Sequence, residues 1–420
     1  MTQTVPPVLL GAAALALLAL TPTAAQAQTP SPFQVVMSGL DNPYGLAFGP
    51  DGSLYVAEAG TGGASTDPGF VNGAGDQVYF GDTGAVSRLE NGVQTRVVSG
   101  LPSLDAGGGS GASGLSGLAF SGGQLYGVFG FGGTEAQRSQ LVSDVLTTSG
   151  AASTNAGDLG QVVRLNAALN TLTPQSDLVP YETQNYAANN PGGTTPEANP
   201  YALSALSGGG FAVSDGGGNV VLQTPMGGGA PSLLSALPAL KNTGGGPPFY
   251  QSVPTALAQD SQGKLYAGEF TGYPFPVGGA SVLSLDPKTH ASSVFASGFT
   301  TITGMTFGAN GDLYVLDLTT NGYATPNRGP ADLFQFDPAT GTRTLLATLA
   351  PGSNYTNLIA GPGNALYLSS QGSGAGDGEV LRFDLPAAVP EASTTVSFGL
   401  LLALGGLVFL SRRKRAASAV

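Results

Sequence analysis

The chain has 420 residues, 41% of them hydrophobic and only 10% charged, with 66 Gly, 30 Pro and a net charge of −12. This composition suits short strands and many turns around a sizeable core rather than long amphipathic helices. With no Cys, no Trp and a single His, it excludes disulfide scaffolds, thiolate or His-rich zinc sites, haem attachment and cysteine nucleophiles.

The first feature along the chain is the apolar run Val8 to Leu20, too short to span a bilayer and of the length of a signal-peptide core. Ala25-Gln26-Ala27 follows as a small-x-small site, so cleavage by signal peptidase is expected after Ala27. Residues 1–27 are therefore read as a signal peptide, although Met1 to Pro7 carries no Lys or Arg and only the α-amino group supplies positive charge.

From there the chain repeats. Gly45-Leu46-Ala47-Phe48, then Asp51-Gly52, then Leu54-Tyr55-Val56-Ala57-Glu58 is an alternating strand, a tight turn and a second alternating strand. The same hairpin recurs over Gly117 to Phe129, Ala256 to Glu269, Gly304 to Asp317 and Asn357 to Ser370. A looser copy runs from Asn199 to Asp215. Third strands follow, such as Ala85 to Leu89, Gln161 to Leu165 and Glu379 to Phe383, and short fourth strands such as Thr95 to Val98 and Ser293 to Phe295. Six four-stranded units predict an all-β, six-bladed β-propeller over residues 28–384, with an irregular β solenoid or sandwich as the alternative. The surplus length per unit falls in Gly-rich insertions after Glu58, after Phe129, around Asn185 to Pro200 and around Gly227 to Pro248.

Counting from the start of each second strand, four of the six units end on a carboxylate: Glu58, Asp215, Glu269 and Asp317. If these strand ends converge on the channel, the four acids form a ring that suits Ca²⁺ or supplies a general acid and base. The alternative is that each acid caps its own turn. No catalytic residue is assigned. His290 lies in a polar turn, and no Gly-x-Ser-x-Gly elbow supports a triad. Tyr273-Pro274-Phe275-Pro276 reads as a rigid loop presenting two aromatics.

The C-terminal end is a second processing signal. A linker over residues 385–391 ends in Val389-Pro390-Glu391, and residues 392–420 hold an apolar stretch, Val396 to Leu410, before Arg412-Arg413-Lys414-Arg415. The apolar stretch is near the minimum for a transmembrane helix, and the basic cluster would stay cytoplasmic. Without those four basic residues, 10 Lys and Arg stand against 26 Asp and Glu, a net of −16. Such a surface repels phosphate backbones, so nucleic acid is excluded as a partner. Pro-Glu, short helix and terminal Arg cluster resemble a PEP-CTERM sorting signal, with Ala392 where that family usually has a second proline. The resemblance implies an exosortase as partner, transient anchoring in the inner membrane, and release to the periplasm, outer surface or matrix of a Gram-negative-type bacterium. A plain C-terminal membrane anchor is the alternative.

The repeats carry a resemblance of their own. Gly39 to Phe48 leading into Leu54 to Glu58, Asn199 to Leu203 with Ser214 to Asn219, and Val253 to Thr255 with Gly268 to Gly278 resemble the ScyD/ScyE family of NHL-like propellers. That resemblance implies a propeller associated with pigment biosynthesis and no defined chemistry. The function expected is an exported binding module for a small molecule, polysaccharide or protein, with the question of enzymatic activity left open. The alternative is a Ca²⁺-dependent propeller enzyme of hydrolase, lactonase or oxidoreductase type.

Overall fold

The computed structural model describes residues 32–386, except 110, 153, 169, 191–194 and 372–373. The signal run with Ala25 and Ala27, the sorting motif Val389-Pro390-Glu391, the C-terminal apolar stretch and the Arg412–Arg415 cluster all lie outside the described residues. Among the described residues, no helix is long and apolar enough to cross a membrane.

Six antiparallel sheets, each built around four strands in a meander, make the six blades of a β-propeller. Their innermost strands are Pro43–Phe48, Leu115–Ser121, Pro200–Ala205, Pro254–Gln259, Ile302–Phe307 and Tyr355–Gly361. Each touches the innermost strand of the next blade, and the last touches the first, which closes the ring. The expected hairpins are all present, because turn chemistry and alternation agree at each one. In the first, Gly52 takes φ +80°, and its N–H donates to Gly49 O at 2.9 Å.

The alternating side chains fill the gaps between blades. Six apolar clusters among the described residues each join two neighbouring blades, such as Val86 and Val98 with Leu115, Phe129 and Val163. Each fully buried Leu or Phe in them contributes roughly 1.5–3 kcal/mol.

Two features lie beyond the sequence reading. The sixth blade takes its outermost strand from the other end of the chain: Phe33–Leu40 pairs with Gly378–Asp384, Phe33 opposite Phe383 and Leu40 opposite Gly378. Two of the insertions also hold helices, α1 (Glu135–Ser149) and α2 (Val179–Asn189). α1 begins with a capping box, in which Thr134 Oγ1 accepts from the Gln137 N–H and Gln137 Oε1 accepts from the Thr134 N–H. Its Leu141 packs with Phe80, Phe131, Leu159 and Val179 in a separate apolar cluster under the insertion. Its buried Arg138 grips Asp177 with two hydrogen bonds, of 2.8 and 2.6 Å.

Candidate functional site at the channel mouth

The structure places Glu58, Asp215, Glu269 and Asp317 at equivalent positions but does not bring them together in a ring around the channel. All four are buried, and none lines the channel cavity. Among the described residues, no group of three or more His, Cys, Asp or Glu is placed to hold a metal ion. The physical reason is that they sit on the second strand of each blade, one strand back from the channel. Their side chains there meet the loop that enters the same blade.

Each acid fastens that loop. Glu58 accepts from the Asp41 N–H at 2.8 Å and Ser87 Oγ at 2.6 Å, and pairs with Arg96 through Nε at 3.2 Å and Nη2 at 2.5 Å. Asp215 Oδ1 accepts from the N–H groups of Asn199, Gly217 and Gly218. Glu269 accepts from Ser252 Oγ and from the Ser281 N–H at 2.8 Å, and burial raises its pKa. Asp317 accepts from the Thr300 and Thr301 N–H groups at 2.9 and 2.7 Å, and burial pushes its carboxyl up to about 6. Capping, the plainer of the two sequence readings, describes these geometries.

The channel is lined instead by the first strands. Their second residues are Tyr44, Ser116, Tyr201, Thr255, Thr303 and Thr356, a hydroxyl side chain in every blade. Three of these hydroxyls donate to the carbonyl that opens the next blade's inner strand: Ser116 to Pro200 O, Thr255 to Ile302 O and Thr356 to Pro43 O. The small residue that follows each of the first five lets the strands crowd together. A Cβ at Gly45 would lie 2.8 Å from the Gly117 Cα, and one at Gly304 would lie 2.5 Å from the Leu358 N.

Above this neck opens a cavity of about 310 Å³, near the lower limit for small-molecule sites. Its walls include Tyr44, Tyr201, Tyr323 and Phe270, and no charged side chain. Tyr44 and Tyr201 meet edge to face at 5.6 Å, and the Tyr201 hydroxyl donates to Thr356 O at 3.2 Å. Burial raises the pKa of the Tyr44 and Tyr201 phenols above its ordinary value. Phe270, Phe275 and Tyr323 form a cluster of edge-on rings at the rim, with the Arg328 guanidinium 3.8 Å over Tyr323. Phe275 belongs to the Tyr273-Pro274-Phe275-Pro276 loop, and Tyr273, 64% exposed, meets Phe275 edge to face at 6.5 Å on the outside of this cluster. One polar atom on the cavity wall, Thr303 Oγ1, is buried without a hydrogen-bond partner, while the Gln371 amide faces the Tyr44 phenol. Such an unpartnered atom is costly unless something polar meets it.

His290 is exposed in its turn, with Nδ1 3.1 Å from Leu234 O, away from the cavity. The channel residues carry a signal in sequence that the acid pattern obscured: a hydroxyl side chain at the same place in each inner strand, just ahead of a small residue in five of the six.

Fold and site together define a six-bladed β-propeller whose channel mouth holds an aromatic cavity with no charged side chain in its walls. No protein-family profile matches the chain, and no curated protein matches it. Among solved structures it is similar to an oxidoreductase (glucose dehydrogenase) of Thermus thermophilus, at 19% identity and TM-score 0.48 over 83% of this chain and 98% of that one. It is also similar to an aldose sugar dehydrogenase of Streptomyces coelicolor, at 15% identity and TM-score 0.46, over 83% of this chain and 97% of that one. A gluconolactonase of Xanthomonas campestris gives 12% identity and TM-score 0.46, over 84% of this chain and 89% of that one. These are likenesses of fold.

Proposed function

We propose that this is an exported propeller of ScyD/ScyE type whose channel mouth binds a small, uncharged molecule with a ring face and hydroxyl or carbonyl oxygens. The observation that carries the reading is the 310 Å³ cavity itself, walled by Tyr44, Tyr201, Tyr323 and Phe270 and holding the unpartnered Thr303 Oγ1. Rings offer stacking faces, the Tyr44 phenol can donate, and the unpartnered Thr303 hydroxyl awaits a ligand's polar atom.

The chain has no Trp, so its intrinsic emission is that of tyrosine, and four of the 14 Tyr (Tyr44, Tyr201, Tyr323 and Tyr355) stand at the mouth. Titration of the protein with phenolic, indolic, lactone and monosaccharide probes is expected to change that emission saturably for at least one class. Tyr44→Ala should weaken that binding at least tenfold, and Glu269→Gln should leave it in place. No saturable binding, or binding untouched by Tyr44→Ala, would remove the reading.

A second reading, a propeller enzyme, is favoured by one feature: the half-buried Tyr44 and Tyr201 phenols meet edge to face in the cavity wall, within reach of a bound molecule. Turnover of a bound lactone or sugar that Tyr44→Phe stops while binding persists would select it over a binding module.

Export and surface sorting rest on the residues flanking the propeller: Ala25 and Ala27, Val389-Pro390-Glu391, and Arg412 to Arg415. Intact-mass analysis of the protein from its native envelope is expected to show a mature chain beginning at Gln28 and ending near Glu391. A chain that keeps Met1 would overturn export by signal peptidase, and one that keeps Arg412 to Arg415 would select a retained anchor.

A further inference from the structure

Beside the third blade lies a buried polar cluster that the channel does not use. Glu182, in the first turn of α2, is fully buried, and neither carboxylate oxygen has a hydrogen-bond partner. Asp215 is fully buried as well. Its Oδ1 takes three backbone N–H groups, and its Oδ2 has no partner. Asn219, 2% exposed, gives its Nδ2 to Asn190 Oδ1 at 2.7 Å, which fixes the orientation of the amide and leaves its own Oδ1 unpartnered.

Gly218 ties these groups together. Its N–H donates to Asp215 Oδ1, and Asn190 Nδ2 donates to its carbonyl. A Cβ on Gly218 would lie within 2.3–2.5 Å of all three Glu182 carboxyl atoms, so the glycine makes room for that carboxyl group. None of the ion pairs among the described residues brings a Lys or Arg to Glu182 or Asp215. Burying two ionised carboxylates without a counter-charge costs several kcal/mol per ion. The cluster thus presents four unpartnered oxygens, two carboxylate charges and no nitrogen or sulfur donor.

We propose that Glu182, Asp215 and Asn219 form a site for a hard divalent cation, Ca²⁺, outside the channel, with water or backbone carbonyls completing its shell. An all-oxygen donor set with two negative charges matches Ca²⁺ and disfavours zinc or copper. The ion pins α2 to the loop between the second and third strands of the third blade. That loop and the segment entering the blade supply Gly216 and Asn199 to the wall of the channel cavity. The site stands whether or not the channel binds an organic ligand.

Without a cation, burial and the neighbouring Asp215 push the Glu182 carboxyl far above its ordinary range, and burial with nearby Glu197 raises Asp215. A proton would then replace the metal, and experiment separates the two states. Chelator-stripped protein dialysed against radioactive Ca²⁺ is expected to bind one ion, and its melting midpoint should rise with added Ca²⁺. Mg²⁺ and Na⁺ at the same concentration serve as comparison arms. Glu182→Gln, which mimics the protonated acid, should keep the fold and lose the bound ion and the Ca²⁺-dependent shift, while Glu269→Gln keeps both. Tb³⁺ gives a second readout on the unaltered protein, because Tyr181 and Tyr186 flank Glu182 on α2 and should sensitise its emission. Absence of bound Ca²⁺ together with absence of sensitised Tb³⁺ emission would overturn the proposal. So would a Ca²⁺ shift that survives in Glu182→Gln. A shift of equal size with Mg²⁺ or Na⁺ would overturn the assignment to Ca²⁺.

Discussion

Glu58 in the first blade and Glu182 on α2 are both fully buried, and the fold treats them in opposite ways. Around Glu58 it assembles a guanidinium with two hydrogen bonds, a serine hydroxyl and a backbone N–H, so every oxygen is met. Around Glu182 the described residues supply none of these, and the neighbouring Asp215 adds a like charge. The difference teaches how to read a buried acid in a propeller. One that serves the fold arrives with its partners in the chain. One whose partners are missing from the chain points to a partner outside it.

The largest expected effect tests the satisfied side. Arg96→Ala leaves Glu58 buried with its charge uncompensated, which should cost about 2–4 kcal/mol in urea unfolding. The value sits at the low end for a buried pair because the Arg96 side chain is 41% exposed. Adding Glu58→Gln should recover part of that loss, and no recovery would mean that Arg96 acts through packing alone.

An intermediate case is Asp317, whose oxygens meet only backbone N–H groups and whose carboxyl titrates near 6. The folded state then holds this proton more tightly than the unfolded chain does. The stability it contributes is full below about pH 4 and is lost as pH rises through 6. Unfolding midpoints at pH 4.5 and 7 should differ on this account by on the order of 2 kcal/mol, with Asp158, also raised to about 6 by burial, adding a share. Asp317→Asn should flatten the slope, and a slope that persists unchanged would assign it elsewhere. The smallest effect belongs to Glu182→Gln in stripped protein, where little stability should change, in contrast to the loss at Arg96.

The propeller was legible because each hairpin carries its own turn and alternation, and six copies reinforce one another. The closing strand Phe33–Leu40 was not, since nothing local in Phe-Gln-Val-Val-Met-Ser-Gly-Leu names a partner some 340 residues away. α1 escaped for another reason. It buries mainly Leu141 and Arg138, so its apolar stripe is thin, although Thr134 and Gln137 spell a capping box. At the site, the equivalence of Glu58, Asp215, Glu269 and Asp317 was legible, but their convergence was not. Spacing gives position along a strand, whereas distance from the axis depends on which strand of the blade carries the residue. Glu182 was hidden because neither a lone acid in a helix nor a loop glycine announces that the two will meet.

The pairing that completes the sixth blade also governs how the molecule bears load. Phe33 lies opposite Phe383, so the chain enters and leaves the ring at one point. A pull on the two ends, between a membrane and a matrix for example, is applied across the first rung of that antiparallel ladder and opens it rung by rung, as a zipper is drawn, instead of shearing all rungs at once. The ring is thus mechanically weakest at its own seam, while a load carried through one end alone leaves that seam unstressed.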